Sequence, residues 1–292
     1  MNDIHRLYRS LLFVPGHKKS LFAKAKQSKA DILILDIEDA VPEKFKNEAC
    51  ANISEFAPTY SKNIVVRINE IDHADFLSHL EVLIQSGVQC LMPSKITCAE
   101  DIYFLDQLLS ILETKFKLNE KAIKFLPLIE TISALQNIKS IAKSSGRLVG
   151  LAFGGEDYLT ELQGSHGEGD HTFDYPRTLI ALSAKSAGIQ AIDTPYLNVE
   201  NPEGFHKRQT KSRDLGFDGC LLIHPSQIEI ANECFSPKED EVRLAREMLK
   251  AAEESTKRGL SVTLLNGKLI GPPILKKALL LLKKNDLCKT RN

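Results

Sequence analysis

The chain has 292 residues, with 38 basic and 38 acidic side chains that cancel and a pI near 7.1. A chain of this length buries a substantial core and exceeds the usual single domain, so one α/β barrel of about 250 residues plus a short appendage is the economical reading. The balanced charge argues against a nucleic-acid or membrane-surface partner, since neither has a basic field to work on.

At the N-terminus, MNDIHRLYRSLLFVPG contains no apolar run long enough for secretion or for crossing a bilayer. The six cysteines (Cys50, Cys90, Cys98, Cys220, Cys234 and Cys288) form no CxxC and no Cys/His ligand spacing. Scattered thiols of this kind lead us to expect a cytoplasmic protein that uses cysteine as a small apolar residue.

Apolar runs of strand length then recur at 11–14, 31–38, 63–69, 88–92, 123–129, 148–153, 189–193 and 219–224. Helical patterns separate them, which is the signature of βα units, and eight is the number that closes a (β/α)8 TIM barrel. The runs are apolar throughout, as strands buried on both faces should be. Between them, Phe76, Leu80, Leu83 and Ile84 precede Gly87, and Leu135, Ile138 and Ile141 precede Gly146, which stands where a helix C-terminal glycine belongs. After the sixth run comes GGEDYLTELQGSHGEGDHTFDYPR, long and polar for a βα loop and expected to overhang the barrel mouth. Its two histidines are read as loop residues without a metal or phosphate role.

Beyond the eighth run, SPKEDEVRLAREMLKAAEESTK reads as a charged amphipathic helix, with Asp240 and Glu241 near its start, where the dipole favours acids. The tail from Gly259 reads as a strand, an Asn266-Gly267 turn, a second strand and a leucine-rich helix too short to span a bilayer. The expected organisation is therefore a catalytic barrel over 1–258 and a hairpin-plus-helix extension over 259–292.

In a barrel of this type the active site is built at the carboxyl ends of the strands. There the sequence places Asp36, Glu38 and Asp39, then Arg67 and Asn69, then Glu130, then Glu156 and Asp157, and finally Asp193. One arginine among several carboxylates describes a metal-assisted site for an anionic substrate. Carboxylate oxygens suit Mg²⁺, which keeps waters and completes its shell with substrate oxygens, and Arg67 offers a fork matched to a substrate carboxylate. Plainer readings compete with each of these. Glu130 could be a helix N-terminal acid and Asp157 a loop cap, and Asp36 or Glu38 could pair with a barrel lysine. Arg67 could simply neutralise its neighbours as a buried ion pair, and Asp193, before Thr194-Pro195, fits a structural role better than a catalytic one. The lysines at 18, 19, 24 and 26 either attract phosphates or form a solvated helix face.

At these residues the chain resembles the citrate lyase β-subunit family, the CitE-like branch of the HpcH/HpaI aldolases. The blocks that carry the resemblance are RSLLFVPG (9–16), ILDIEDAV (34–41), VVRIN (65–69), LPLIET (126–131), FGGEDY (153–158), AIDTPY (191–196) and LGFDGCLLIHPSQIEIAN (215–232). The resemblance implies a (β/α)8 barrel, trimeric or hexameric, that uses Mg²⁺ to cleave or form a carbon–carbon bond of a 3-hydroxyacyl-CoA thioester. Citryl-, malyl- or citramalyl-CoA would give acetyl-CoA or a related acyl product and a 2-oxo acid such as oxaloacetate, glyoxylate or pyruvate. Carried over by motif, Glu130 and Asp157 are the metal ligands, with Glu130 also meeting substrate through the metal. Arg67 holds the carboxylate of the 2-oxo acid half, Glu38 sits at the reacting centre, and Lys24 lies near the CoA pantetheine or phosphates. Many relatives read DGKMIDxP in the C-terminal hairpin, and the second aspartate serves a neighbouring subunit's site as acid/base. Here the segment is Asn266-Gly267-Lys268-Leu269-Ile270-Gly271-Pro272, with Gly271 in the aspartate's place, so another group, Glu38, must carry the proton. Two further readings follow: a CoA or 2-oxo acid binding homologue without turnover, and an HpcH-type aldolase acting on free 2-oxo acids.

Overall fold

The computed structural model describes residues 7–60, 63–167, 170–257 and 262–291. They fall into two compact units, Tyr8–Cys234 and a smaller one made of Leu7 with the chain from Phe235 onward. The boundary expected at Gly259 lies outside the described residues.

The larger unit is a parallel sheet wrapped by helices. Its strands are β1 (Ser10–Pro15), β2 (Ile32–Asp36), β3 (Asn63–Ile68), β4 (Cys90–Pro93), β5 (Lys124–Phe125), β6 (Leu128–Ile129), β7 (Gly150–Phe153), β8 (Gln190–Asp193) and β9 (Gly219–Leu222). They pair in the order β5-β4-β3-β2-β1-β9-β8-β7-β6. The two ends of that order are halves of one strand interrupted at Leu126-Pro127, since a proline has no N–H for the ladder. Leu126 N–H donates to Leu91 O at 2.9 Å on one side, while Phe125 N–H donates to Arg147 O at 2.9 Å and Val149 N–H to Phe125 O at 2.9 Å on the other. The segment thus bonds both neighbours, and the sheet is TIM-barrel-like, with eight strands when β5 and β6 are counted as one. Every second residue points inward: Leu11, Ile34, Val65, Met92, Leu128, Ala152, Ile192 and Leu221 belong to one buried cluster fed by all the strands.

The helices are α1 (Lys19–Gln27), α2 (Lys46–Phe56), α3 (Phe76–Gln85), α4 (Ala99–Lys115), α5 (Ile132–Gln136), α6 (Ile138–Ile141), α7 (Gly155–Glu161), α8 (Asp174–Ala187), α9 (Pro202–Leu215) and α10 (Ile228–Phe235). Gly87 follows α3 with φ +88°. Gly146 does not cap a helix: the helical pattern breaks into α5 and α6 at Asn137, and α6 ends five residues before the glycine. The connection expected to be all loop after the sixth strand opens with a helix, α7, so Asp157 lies in a first helical turn rather than at a strand tip.

In the smaller unit, α11 (Glu239–Lys257) begins with three acids in its first turn, and β10 (Thr263–Leu265) pairs antiparallel with β11 (Lys268–Ile270) before α12 (Pro272–Arg291). Asn266 and Gly267 both take positive φ, +50° and +75°, as the expected Asn-Gly hairpin turn requires. Among the described residues no helix is long and apolar enough to cross a membrane.

Away from the strand C-termini the barrel is locked by Arg147, which is fully buried. Its guanidinium donates to both oxygens of Glu113 on α4 at 2.6 and 2.8 Å, to Ser110 Oγ at 2.9 Å and to Ile123 O at 3.1 Å, and it also bonds Asp106. Glu113 in turn accepts the N–H of Lys121 and of Ile123, both at 2.9 Å. Breaking a buried pair from one side strands its partner charge, so Arg147→Met is expected to cost about 3–5 kcal/mol of unfolding free energy in a urea titration.

Candidate active site

Strand ends from around the barrel converge on a cleft of about 320 Å³ in the larger unit, whose walls include Phe13, Arg67, Glu130, Gly154, Glu156 and Asp157. Glu130 follows β6 directly and is 1 % exposed. Its Oε1 accepts the backbone N–H of Lys95 at 2.7 Å. Its Oε2 is buried with no hydrogen-bond partner among the described residues. Thr131, not Glu130, caps α5, by accepting from Ala134 N, so the helix-terminal reading of Glu130 does not apply. Burial pushes the Glu130 carboxyl up to about 8, with the charges of Asp157 and Glu38 adding to the rise and the Lys95 amide and ammonium opposing it.

Asp157 reaches the same place from α7. Lys95 joins the two acids, with Nζ 2.8 Å from Asp157 Oδ1 and 3.7 Å from Glu130 Oε1. Lys95 takes φ +52°, an unusual backbone state for a non-glycine residue. Gly154 lets the strand after β7 come close, because a Cβ there would lie 2.4 Å from Glu130 Cβ and 2.8 Å from Oε2.

Facing this pair is a second charged group. Arg67, on β3, grips Asp36 with both fork atoms, Nε to Oδ1 at 2.7 Å and a terminal N–H to Oδ2 at 2.6 Å. Its other terminal nitrogen, Nη1, is 3.0 Å from Glu38 Oε2 and 3.5 Å from Asp39 Oδ2. The guanidinium lies over the Phe13 ring, 4.9 Å from its centroid. The buried ion pair weighed for Arg67 is therefore present, with an arginine rather than a lysine as the partner of Asp36 and Glu38, and the same guanidinium still lines the cleft. Glu38 is buried, and desolvation lifts its carboxyl to about 7 against the opposing pull of Arg67.

Asn69 turns away from this cluster, accepting from Lys46 Nζ at 3.0 Å and bonding His79. Asp193 is structural, holding Arg177 and the Ser212 hydroxyl. Lys24 lines a separate, larger hollow of about 850 Å³ with Lys29 and His224, and this hollow shares Phe13, Pro15 and Ile223 with the cleft. Lys19 and Lys26 are engaged on the surface, with Glu55 and with Thr59 O.

The sequence reading did not single out Lys95, Phe13 or Gly154. Lys95 falls within reach of the strand-end rule only because β4 continues to Pro93, one residue beyond the apolar run 88–92.

Among the described residues there is no group of three or more His, Cys, Asp or Glu arranged for a metal. Two carboxyl groups, one with a bare buried oxygen and both beside a single ammonium, do fit a hard cation that takes its other ligands from water and substrate.

The barrel gathers these acids and one arginine at the carboxyl ends of its strands, and its similarity to named lyases makes the protein a carbon–carbon lyase. It belongs to the HpcH/HpaI aldolase/citrate lyase family, whose profile matches residues 9–225. The chain is 34% identical to the citrate lyase subunit beta of Haemophilus influenzae, over 96% of this chain and 97% of that protein. It is 30% identical to the L-malyl-CoA/beta-methylmalyl-CoA lyase of Rhodobacter capsulatus, over 97% and 96% respectively. Among solved structures it is similar to the CitE protein of Mycobacterium tuberculosis in complex with magnesium, acetoacetate and coenzyme A. That match has a TM-score of 0.77 and 27% identity, covering 95% of this chain and 97% of that one.

Gly154→Ala forces a methyl group against Glu130. Overpacking of this kind is expected to cost about 1–3 kcal/mol, measured as a lower midpoint in chemical unfolding.

Proposed function

We propose that the protein is a Mg²⁺-dependent lyase that cleaves or forms the carbon–carbon bond of a 3-hydroxyacyl-CoA thioester of the citryl-, malyl- or citramalyl-CoA type. The observation that carries this reading is the Glu130–Asp157 pair, with its bare Glu130 oxygen, in a cleft that shares the Phe13 wall with a second hollow edged by lysines. The names of the relatives support the thioester class but leave the acyl group open.

In this reading Glu130 and Asp157 hold the cation, which when bound polarises the 2-oxo acid oxygens and lowers the pKa of the substrate hydroxyl. Arg67 keeps its Asp36 clasp and turns Nη1 to the carboxylate of the 2-oxo acid half. Glu38, beside that nitrogen, takes the proton from the hydroxyl as the carbon–carbon bond breaks and delivers it to the α-carbon of the thioester enolate so released, and in condensation it runs both transfers in reverse. Lys24 and Lys29, at the rim of the larger hollow, meet the phosphates of CoA. Gly271 has no side chain to move a proton, although a Cβ there would meet Pro273 and Val262 atoms only at ordinary contact distance, 3.9 Å. Glu38 therefore serves in both directions. The β10–β11 hairpin and α12 form a lid or subunit contact in a cytoplasmic homo-oligomer, a role suited to the exposed Leu264 and Leu269 paired across the hairpin.

The direct test offers citramalyl-, malyl- and citryl-CoA to the purified protein with Mg²⁺ and follows release of the 2-oxo acid. Cleavage of at least one is expected, and it is lost in Glu130→Gln. Binding of Mg²⁺ and CoA without turnover would instead favour a non-catalytic homologue, the reading that Gly271 alone supports. Activity on a free 4-hydroxy-2-oxo acid, without CoA, would favour an aldolase.

The pH dependence has a definite sign. A base works deprotonated, so kcat/KM for cleavage should rise as pH increases through about 7, the value to which burial lifts Glu38. Glu38→Gln should remove that limb and lower kcat by roughly 10²–10⁴-fold.

A further inference from the structure

Lys95 holds the two acids in two different ways. Its backbone N–H is fixed on Glu130 Oε1 at 2.7 Å, at the cost of a left-handed φ of +52°. Non-glycine residues keep that state only where the surroundings over-determine it. The ammonium is a looser attachment, 2.8 Å from Asp157 Oδ1 and 3.7 Å from Glu130 Oε1, on a side chain that is 28 % exposed. The amide therefore presents Glu130 with Oε2 bare, while the ammonium occupies Oδ1 of Asp157, one of the two oxygens open to a cation there.

We infer that Lys95 is an exchangeable counter-ion built into the cation site, holding the Glu130–Asp157 pair together until a divalent cation displaces its ammonium. The inference rests on the reading of Glu130 and Asp157 as cation ligands given above. The physical ground is that an ammonium and a divalent cation at one carboxylate repel strongly at such separation, so cation binding at Asp157 works against the ammonium. The lysine stem has four rotatable carbons and an open side toward solvent, so Nζ can leave while the amide stays in place. Lys95 is then a positioning residue with two separable parts, since the backbone shapes the site and the side chain sets how strongly the cation must compete.

This role predicts opposite signs for two properties that an ordinary structural ion pair would move together. Calorimetric titration of Mg²⁺ into the full chain, without substrate, should show Lys95→Met binding the cation roughly tenfold tighter than the wild type, because the competitor is gone. The metal-free variant should at the same time unfold at a lower temperature, because two neighbouring carboxylates lose their counter-ion. Unchanged or weaker Mg²⁺ binding by Lys95→Met overturns the inference while leaving the cation site intact. Failure of the wild type to show Mg²⁺ binding that Glu130→Gln abolishes removes the cation site, and the inference with it. Should the methionine variant not fold, the wild type still decides. Acetylation of Lys95, followed by mass spectrometry, should become several-fold faster when Mg²⁺ is added, and an unchanged or slower rate overturns the inference.

Discussion

Burying a carboxylate at the mouth of a barrel is unfavourable, and much of this site is organised around doing so at Glu130. Water is excluded from the side chain, yet only one of its oxygens is given a hydrogen bond. Each neighbouring oddity follows from that constraint. The chain after β4 bends into a left-handed state to deliver an N–H, the residue after β7 is a glycine because nothing larger fits, and a lysine is drawn in beside the two acids. An arrangement that leaves one buried oxygen unsatisfied while spending local strain on the other is poorly explained by stability alone. It is well explained if the site is completed only when the enzyme works.

On the facing wall the problem is solved differently. Asp36 is as deeply buried as Glu130, but Arg67 satisfies both of its oxygens, and the Asp36 oxygens also accept the N–H groups of Glu38 and Ala40. Asp36 is thereby a fixed anchor, and Glu38, left with a weaker share of the same guanidinium, is the group whose charge is easily changed. Two acids separated by one residue thus take different duties from their surroundings.

Much of the fold was legible because a parallel barrel writes its strands as apolar runs, and all eight runs correspond to strands of the larger unit or to the divided fifth. The acids at the run ends were legible for the same reason, since the backbone direction carries them to one mouth. What escaped is what depends on local backbone detail. The helical pattern around Leu135 and Ile141 concealed a break at Asn137, and the glycine at 146 looked like a cap while serving only in a turn. Asp157 was placed at a strand tip because periodicity cannot distinguish a polar loop from a seven-residue helix. Lys95 has no pattern at all, and only its three-dimensional bridging of Glu130 and Asp157 reveals it. Of the lysines after the first strand, the sequence could not say which turn outward. The structure separates Lys24, at the hollow, from Lys19 and Lys26, tied down elsewhere.

Phe13 stands in the wall common to both hollows and carries the Arg67 guanidinium on its ring. A change there made to admit a longer or branched acyl chain also shifts Arg67, the residue proposed to hold the carboxylate half of the substrate. Selectivity for one half of the substrate and hold on the other are therefore inherited together. Divergence toward a new acyl group has to pass through this residue as a paired adjustment, with a compensating change near Arg67, rather than through independent tuning of two pockets.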